Sequence, residues 1–449
     1  MRQKTIKQLP LNKPAVDHPF AEEIKMIDSI LEKNKKIYDL AYEDLTRNVK
    51  SKAGADGMSA EQVVKAAILK QMTGCSYKQL AFHLIDSSTY RRFCHIGIAD
   101  KAFKKSAICK NIKRLSPETW EQINLALIIY ADANDIEKGR ETRSDCTVVS
   151  SNIHAPTDSS LLHDSVRVLT RLLQKAQETF GETEIQFSNH TKRSKRRALG
   201  VLNAKNKKDR KTYYIDLIKV TRRTVGYAES VNLKLMSIPT LIAFAIAAEL
   251  KTYVNLTLKV IDQTERRVIN DETVPSSEKV TSLFEPHTDI IKKDRRETYY
   301  GHKIFLTGGV SNLIIDCKIL DGNPADTTLV DDILDRQEEI FGRYPLKTSF
   351  DGGFTSKSNL NSVLDKGVKD VCFSKRRNLD PEDMCRSQWV YKRLRNFRAG
   401  IEAGISRLKR CFGLSTCTWK TLRSFKSYVW ASIVAANLQM LARHKLGTA

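Results

Sequence analysis

Hydrophobic positions recur every three to four residues through most of the chain, and the places where that period fails divide it. Residues 1–58 carry a helical pattern in AEEIKMIDSILEKNKKIYDLAYEDL and end at the glycine-containing break KAGADGMS. Ser59, with Gln62 three residues on, predicts an N-cap and capping box for the run AEQVVKAAILKQM. After TGCS the pattern predicts a second helix, YKQLAFHLIDS, a third segment around STYRRFCHIG, the basic run KAFKKSAICKNIKR and the helix PETWEQINLALIIYADAN. Helix, short glycine-containing turn, helix suits a helix-turn-helix and suits any small helical bundle equally well.

At RSDCTVVSSNIH the period changes to two and β-branched residues crowd together, which predicts a strand. From Asp158 to about Glu278 the pattern is helical again and includes the basic stretch HTKRSKRRALGVLNAKNKKDRK. Strand signals return in GHKIFLTGGVSNLIIDCKILDG, a predicted hairpin. They are followed by a helix, the short strand PLKTSF, a helix, the strand VKDVCFSK and a final helical segment from Gln388. The expected organisation is an α/β fold in four parts. Residues 1–58 form an N-terminal helical arm and 59–135 an all-helical domain. Residues 136–157 and 285–443 form a mixed-sheet domain, and 158–284 a large helical insertion after its first strand.

Composition sharpens this picture. The 449 residues are 41% hydrophobic, ample core for two or three domains, so disorder throughout is excluded. Lys and Arg number 75 against 52 Asp and Glu, a formal net charge of +23. That excess favours a polyanionic partner, since each phosphate contact releases counterions. It makes DNA contact a reasonable expectation for the helix-turn-helix-like region and for Lys195, Arg196 and Arg197 in the insertion, although a run of like charge is also an ordinary solvated face. The basic N-terminus lacks the apolar core of a secretory signal. The most apolar stretches, Ile238 to Leu250 and Tyr428 to Ala442, are read as buried helices, too short for the ~20 residues of a membrane span. Nine cysteines without a C-x-x-C pair or zinc-ligand spacing point to a cytoplasmic, reducing setting.

Three carboxylates stand where a mixed sheet would present them. Asp145 sits inside the apolar strand SDCTVVS, where a charge is costly unless paired or metal-bound. Asp351 follows the strand LKTSF and precedes Gly352 and Gly353; strand ends of this kind collect ligands, and a turn aspartate before two glycines is equally common. Glu402 lies in the predicted helix NFRAGIEAGISRLKRCFG beside the apolar stripe Ile401, Ile405, Leu408 and Phe412, with Gly400 and Gly404 on another side. Arg398 and Lys409 fall within about 40° of it on a helical wheel. A surface Arg398–Glu402 ion pair explains the same spacing. Convergent carboxylates suit Mg²⁺ and two-metal phosphoryl displacement, with Arg398 and Lys409 on phosphates. Asp158 and Asp164, close to the first strand, fit the start of the next helix better, Asp158 as its N-cap.

The segments RSDCTVVSSNIHAPTDSSLLHDSVRVLTR, EPHTDIIKKDRRETYYGHKIFLTGG, ILDGNPADTTL, SFDGGFTS and FRAGIEAGISRLKRCFGLSTCTWKTL together resemble insertion-sequence transposases of the DDE class, the broad four/five group. GMSAEQVVKAAILKQMTGCSYKQLAFHLIDSSTYRRFC resembles their N-terminal domain, so the resemblance runs from about residue 55 to about 443. It implies a ribonuclease-H-like catalytic fold, Asp145, Asp351 and Glu402 as catalytic and metal-binding residues, and Mg²⁺ or Mn²⁺ as cofactor. It also implies terminal inverted-repeat and target DNA as substrates, a dimer that synapses two ends, and a place in the prokaryotic cytoplasm with the nucleoid. In the Tyr-Arg-Glu-Lys signature of the group, Arg398, Glu402 and Lys409 match; Arg395 stands at the tyrosine position, with Tyr391 one turn earlier. Arg395 and Arg407 join Arg398 and Lys409 as expected DNA contacts on this helix. Two other activities remain compatible: a nuclease of the same fold that cuts without joining, and a DNA-binding regulator with a dead catalytic domain.

Overall fold

The computed structural model describes residues 4, 17–47, 49, 57–97, 100, 103–293, 297–375 and 378–448. Apart from Lys4, the basic stretch before residue 17 lies outside them, as does most of the break KAGADGMS. The chain divides into two compact units, Met1–Asn152 with His302–Ala449, and Ile153–Gly301.

Among the described residues the first unit opens with seven helices: α1 (Pro19–Lys33), α2 (Lys36–Thr46), α3 (Ala60–Thr73), α4 (Tyr77–Asp86), α5 (Ser88–Phe93), α6 (Lys105–Ile112) and α7 (Pro117–Ala133). Ser59 and Gln62 cap α3 reciprocally, and Gly74, at φ +65°, closes it in the left-handed conformation that a side chain would resist. The charged positions of α3 are buried with its apolar ones, Glu61 and Lys65 included. The reason is that its charges answer one another inside. Lys65 Nζ lies 2.6 Å from Asp28 and 2.7 Å from Glu61, and His95 Nδ1 lies 2.8 Å from Glu61. Paired charges tolerate burial that single ones do not.

Strand β1 (Glu141–Ser151) follows, and the chain then leaves for the second unit. There α8 (Asp158–Phe180), α9 (Thr191–Asn203), α10 (Lys207–Met236) and α11 (Leu241–Thr264) pack around a core that includes Leu169, Leu172, Leu217, Val225, Ala247 and Leu250. Thr157, not Asp158, is the N-cap of α8; it pairs with Ser160, and Asp158 turns inward to accept from Arg267 and Gln263. The stretch from Ile238 is not wholly buried either. Ala243, Ile246, Ala247 and Leu250 face the core at helical spacing, while Leu241, Ile242 and Phe244 are exposed. Helical geometry also continues past Lys251 through a π turn to Ile269, because one lysine does not end a helix. By length and composition Leu241–Ile269 is therefore long and apolar enough to cross a membrane; its inner stripe is part of the core of this unit. Strand β2 (Asp289–Lys293) pairs antiparallel with residues 297–301, the start of β3 (Glu297–Gly308).

Back in the first unit come β4 (Ile314–Ile319), α12 (Val330–Phe341), β5 (Lys347–Phe350), α13 (Lys357–Asp365), β6 (Asp370–Phe373), α14 (Pro381–Met384), α15 (Gln388–Cys411), β7 (Thr416–Cys417) and α16 (Leu422–Leu446). The sheet runs β3-β1-β5-β6, with β4 antiparallel on β3, β5 and β6 parallel to their neighbours, and β7 parallel to β1. Both faces are covered. Along β3, Ile304 and Leu306 join a core shared with α7, α15 and α16, and Phe305 points the other way into a core with α12, α13 and β6. Asn437 of α16 donates to Asn124 of α7 at 2.8 Å and to the Ile314 carbonyl at 2.7 Å, fixing the helices to the sheet. The mixed α/β class expected from the pattern is the one observed.

Candidate active site

β1 and β5 are parallel neighbours in the register Glu141↔Lys347 to Ser144↔Phe350. Asp145 and Asp351 are the next residue on each chain, so the alternation of the pleat and the shared direction bring the two carboxylates to one place. Asp145 Oδ1 accepts from the Cys146 N–H at 2.7 Å, and Asp351 Oδ1 accepts from Ser374 Oγ at 2.9 Å.

Helix α15 supplies the third group, and several contacts set where it lies. Ser349 Oγ donates to the Leu394 carbonyl at 2.9 Å, and Tyr391 donates to the Phe373 carbonyl at 3.1 Å. Arg143 of β1 donates to the Phe397 carbonyl at 2.9 Å, with its guanidinium 4.4 Å from the Phe397 ring centre. Gly400 makes that approach possible: a Cβ there would stand 1.8 Å from Arg143 Nη1. Gly404 meets only an ordinary contact with Ile314, so its small size is not required.

So held, α15 places Arg398 among the three carboxylates. Its Nη2 lies 2.7 Å from Glu402 Oε1, 2.9 Å from Asp351 Oδ1 and 3.7 Å from Asp145 Oδ2. Burial pushes the Asp351 carboxyl up, but the Gly352 N–H, Ser374 and the Arg398 charge outweigh it and hold Asp351 below the ordinary carboxylate value. Burial opposes the charge of Arg398 too, and Asp351, Glu402 and Asp145 more than restore it. Its Nε is buried with no hydrogen-bond partner.

The other expected residues are dispersed. Arg395 is exposed on α15; Lys409 is partly buried farther along it. Arg407 is engaged within the unit, donating to Gln439 at 2.7 Å and lying 5.4 Å from the Phe412 ring centre. Tyr391 is buried with its hydroxyl on Phe373. In the second unit Lys195 and Arg196 are exposed, while Arg197 pairs with Asp216. Some neighbours of the carboxylates went unnoticed in the sequence. Gly352 leaves room for Lys375, whose Cγ would be 2.5 Å from an added Cβ, and Gly353 leaves room for Asp326 at the same distance. Asp326 in turn holds the nearly buried Lys303 at 2.7 Å. The glycines therefore admit side chains of this protein. The quoted segment ILDGNPADTTL contained Asp326, but nothing in its local pattern pointed to Asp351.

Among the described residues no group of three His, Cys, Asp or Glu side chains is already arranged to hold a metal ion. The donor set nonetheless suits one. Three hard oxygen groups surround one positive charge, and Mg²⁺ needs only one or two carboxylates besides water and substrate oxygens.

The first unit is thus a mixed α/β domain with carboxylates gathered across parallel strands, and comparison with known families gives its class. A family model described as a transposase DDE domain matches residues 262–438, and one described as a transposase domain (DUF772) matches residues 18–114. The chain belongs to the insertion-sequence transposases of the DDE class. The DDE match contains Asp351 and Glu402, whereas Asp145 lies before it. No curated protein and no solved structure matches the chain.

Proposed function

We propose that this transposase hydrolyses phosphodiester bonds at the ends of its element and joins the freed 3′-hydroxyls to target DNA, with Asp145, Asp351 and Glu402 as its metal-binding carboxylates. The observation that carries the reading is the convergence of all three on Arg398 Nη2 from two strands and a helix. The strand order, with β4, β3 and β1 antiparallel or adjacent and β5 and β6 parallel beyond β1, supports a ribonuclease-H-like description of the unit.

Asp145 and Asp351 would hold Mg²⁺ or Mn²⁺, and Glu402, the most exposed of the three, would close the set. The bound cation supplies Lewis-acid polarisation of the phosphoryl oxygens and eases deprotonation of the attacking water or 3′-hydroxyl. Asp351, kept ionised by Ser374 and the Gly352 N–H, stays a ligand without competing for the proton. Arg398 balances the carboxylates and can turn part of its donor fork toward a phosphate oxygen when that balance comes from elsewhere. Ser349, Arg143 and Gly400 keep α15 at the distance this exchange needs. Arg395 and Lys409 would contact the DNA backbone on the same helix, and a dimer would bring two ends together.

The test is incubation of the purified chain with a duplex carrying an element end, a target plasmid and Mg²⁺ or Mn²⁺. Cleaved 3′ ends and joined products are expected. Cut ends without joined product would replace strand transfer by a nuclease activity, and DNA binding with neither product would replace the enzyme by a regulator.

A further inference from the structure

The second unit contains an open cavity of about 690 Å³ remote in composition from the carboxylate site. Its lining includes Arg167 and Arg171 from α8 and Lys192 from the start of α9, and no acidic residue. Arg171 has no ion-pair partner among the described residues. Arg167 spends one nitrogen on Asp164, at 2.8 Å, which leaves the rest of its fork for another acceptor. The 13-residue helix α9 begins at this wall; its Thr191 N–H donates to Asn189 Oδ1 at 3.0 Å, and its positive dipole end adds to the cations. Thr170, only 3% exposed, also lines the cavity, and its Oγ1 is buried without any hydrogen-bond partner. A buried hydroxyl without a partner costs free energy unless a ligand supplies one. Phe284, 40% exposed, adds an apolar face beside the cations, and Val168, Gln174, Asn189 and Thr191 complete the lining.

We propose that this cavity is a DNA-backbone site, in which Arg171, Lys192 and Arg167 hold phosphate oxygens, Thr170 donates to one of them, and Phe284 packs on the adjoining sugar or base. Arg171 and Lys192, which have no counter-charge among the described residues, and the free part of the Arg167 fork favour a phosphodiester over a neutral ligand, and the aromatic wall favours a nucleotide over bare phosphate. The open mouth lets a polymer enter and leave. The choice of DNA rests on the transposase reading, but the site is separate from the carboxylates.

The test is fluorescence anisotropy of the full-length chain on a labelled mixed-sequence duplex, from about 50 to about 200 mM salt. The variants are Arg171→Gln with Lys192→Gln, Thr170→Val, and Lys251→Gln as a surface control on α11. For the double variant, the slope of log affinity against log salt should become shallower by about two, and affinity at intermediate salt should fall about tenfold. Thr170→Val should weaken binding without changing the slope, and Lys251→Gln should change neither. Wild-type slope and affinity in the double variant would overturn the proposal. So would loss of inorganic phosphate or mononucleotide binding with duplex binding intact, since the cavity would then serve a free anion. An Asp351→Asn enzyme separates the two readings: it should lose cleavage and keep this salt dependence.

Discussion

Two clusters in the first unit are built from the same parts, one cation among three carboxylates. In the helical region Lys65 meets Asp28, Glu32 and Glu61; at the strand ends Arg398 meets Asp145, Asp351 and Glu402. They differ in what solvent can reach. The side chains of Lys65 and Glu61 are 0% and 2% exposed, with Asp28 and Glu32 at 27% and 39% on the rim, whereas Arg398 itself is 15% exposed and Asp145, Asp351 and Glu402 are 17%, 38% and 56% exposed. A sealed cluster cannot trade its cation for another without unfolding, so its balance serves the fold. An open one can, and the same balance becomes a site in waiting. The comparison also shows why an ion-pair inventory alone does not locate chemistry: each cluster sets a Lys or Arg among three carboxylates, with His95 added in the helical one, and access to the cation decides.

The largest effect that would break this contrast is on catalysis. Asp145→Asn or Asp351→Asn should lower metal-dependent DNA cleavage by on the order of 10³-fold or more, with a thermal midpoint close to wild type. An activity within tenfold of wild type would remove that residue from the site. The sealed cluster should respond in the opposite way. Lys65→Met leaves Glu61 buried without its lysine and should cost about 3–5 kcal/mol of stability, measured by urea unfolding, with cleavage per folded molecule preserved. A stability unchanged by Lys65→Met would erase the distinction between the clusters.

A smaller effect is expected where the open cluster is propped. Gly400→Ala drives a methyl into Arg143 and should cost about 1–3 kcal/mol, with activity falling because α15 shifts; Gly404→Ala should do neither. The smallest is the acid response. Glu61 and Asp351 are both held below their ordinary values; against the cost of burial, Glu61 is held there by His95 and Lys65, and Asp351 by the Gly352 N–H, Ser374 and Arg398. A carboxyl depressed in the folded state adds stability that is full above its unfolded value, about 4, and is lost as pH falls through the folded one. Denaturant midpoints should therefore fall from about pH 4 downward. Glu61→Gln should flatten that fall more than Asp351→Asn, since the exposed Asp351 is screened by water. Equal flattening would contradict the role given to access.

Much of the open cluster was legible in the sequence. Asp145 stood out as a charge in an apolar strand, Asp351 as the end of another, and Glu402 as a residue at the margin of the stripe Ile401, Ile405, Leu408 and Phe412, all four of which are buried. What local pattern could not supply is adjacency. Glu141 and Lys347 stand 206 positions apart and pair side by side, so Arg398 could be read as a partner of Glu402 but not as the hub of all three carboxylates. Ser374, Lys375, Asp326 and Lys303 were hidden for the same reason: each reaches the site from another stretch of chain. For α3 the helical pattern and its cap were legible, but such a pattern reports an apolar face, not whether neighbours also cover the polar one. Lys65 became visible only once Asp28 and Glu61 were seen to answer it.

The discontinuous first unit has a consequence for how the enzyme comes into being. Its helical core joins α1, α3 and α7 to α16, whose residues 422–446 are synthesised after the insertion, while the insertion is one contiguous stretch with its own core. On a translating ribosome the insertion can fold first, and β1 must wait for β5, α15 and α16 to emerge, roughly ten seconds later at ordinary elongation rates. Until then the three carboxylates are unassembled. A nascent or prematurely terminated chain can therefore present the basic surface of the insertion before the carboxylates are brought together.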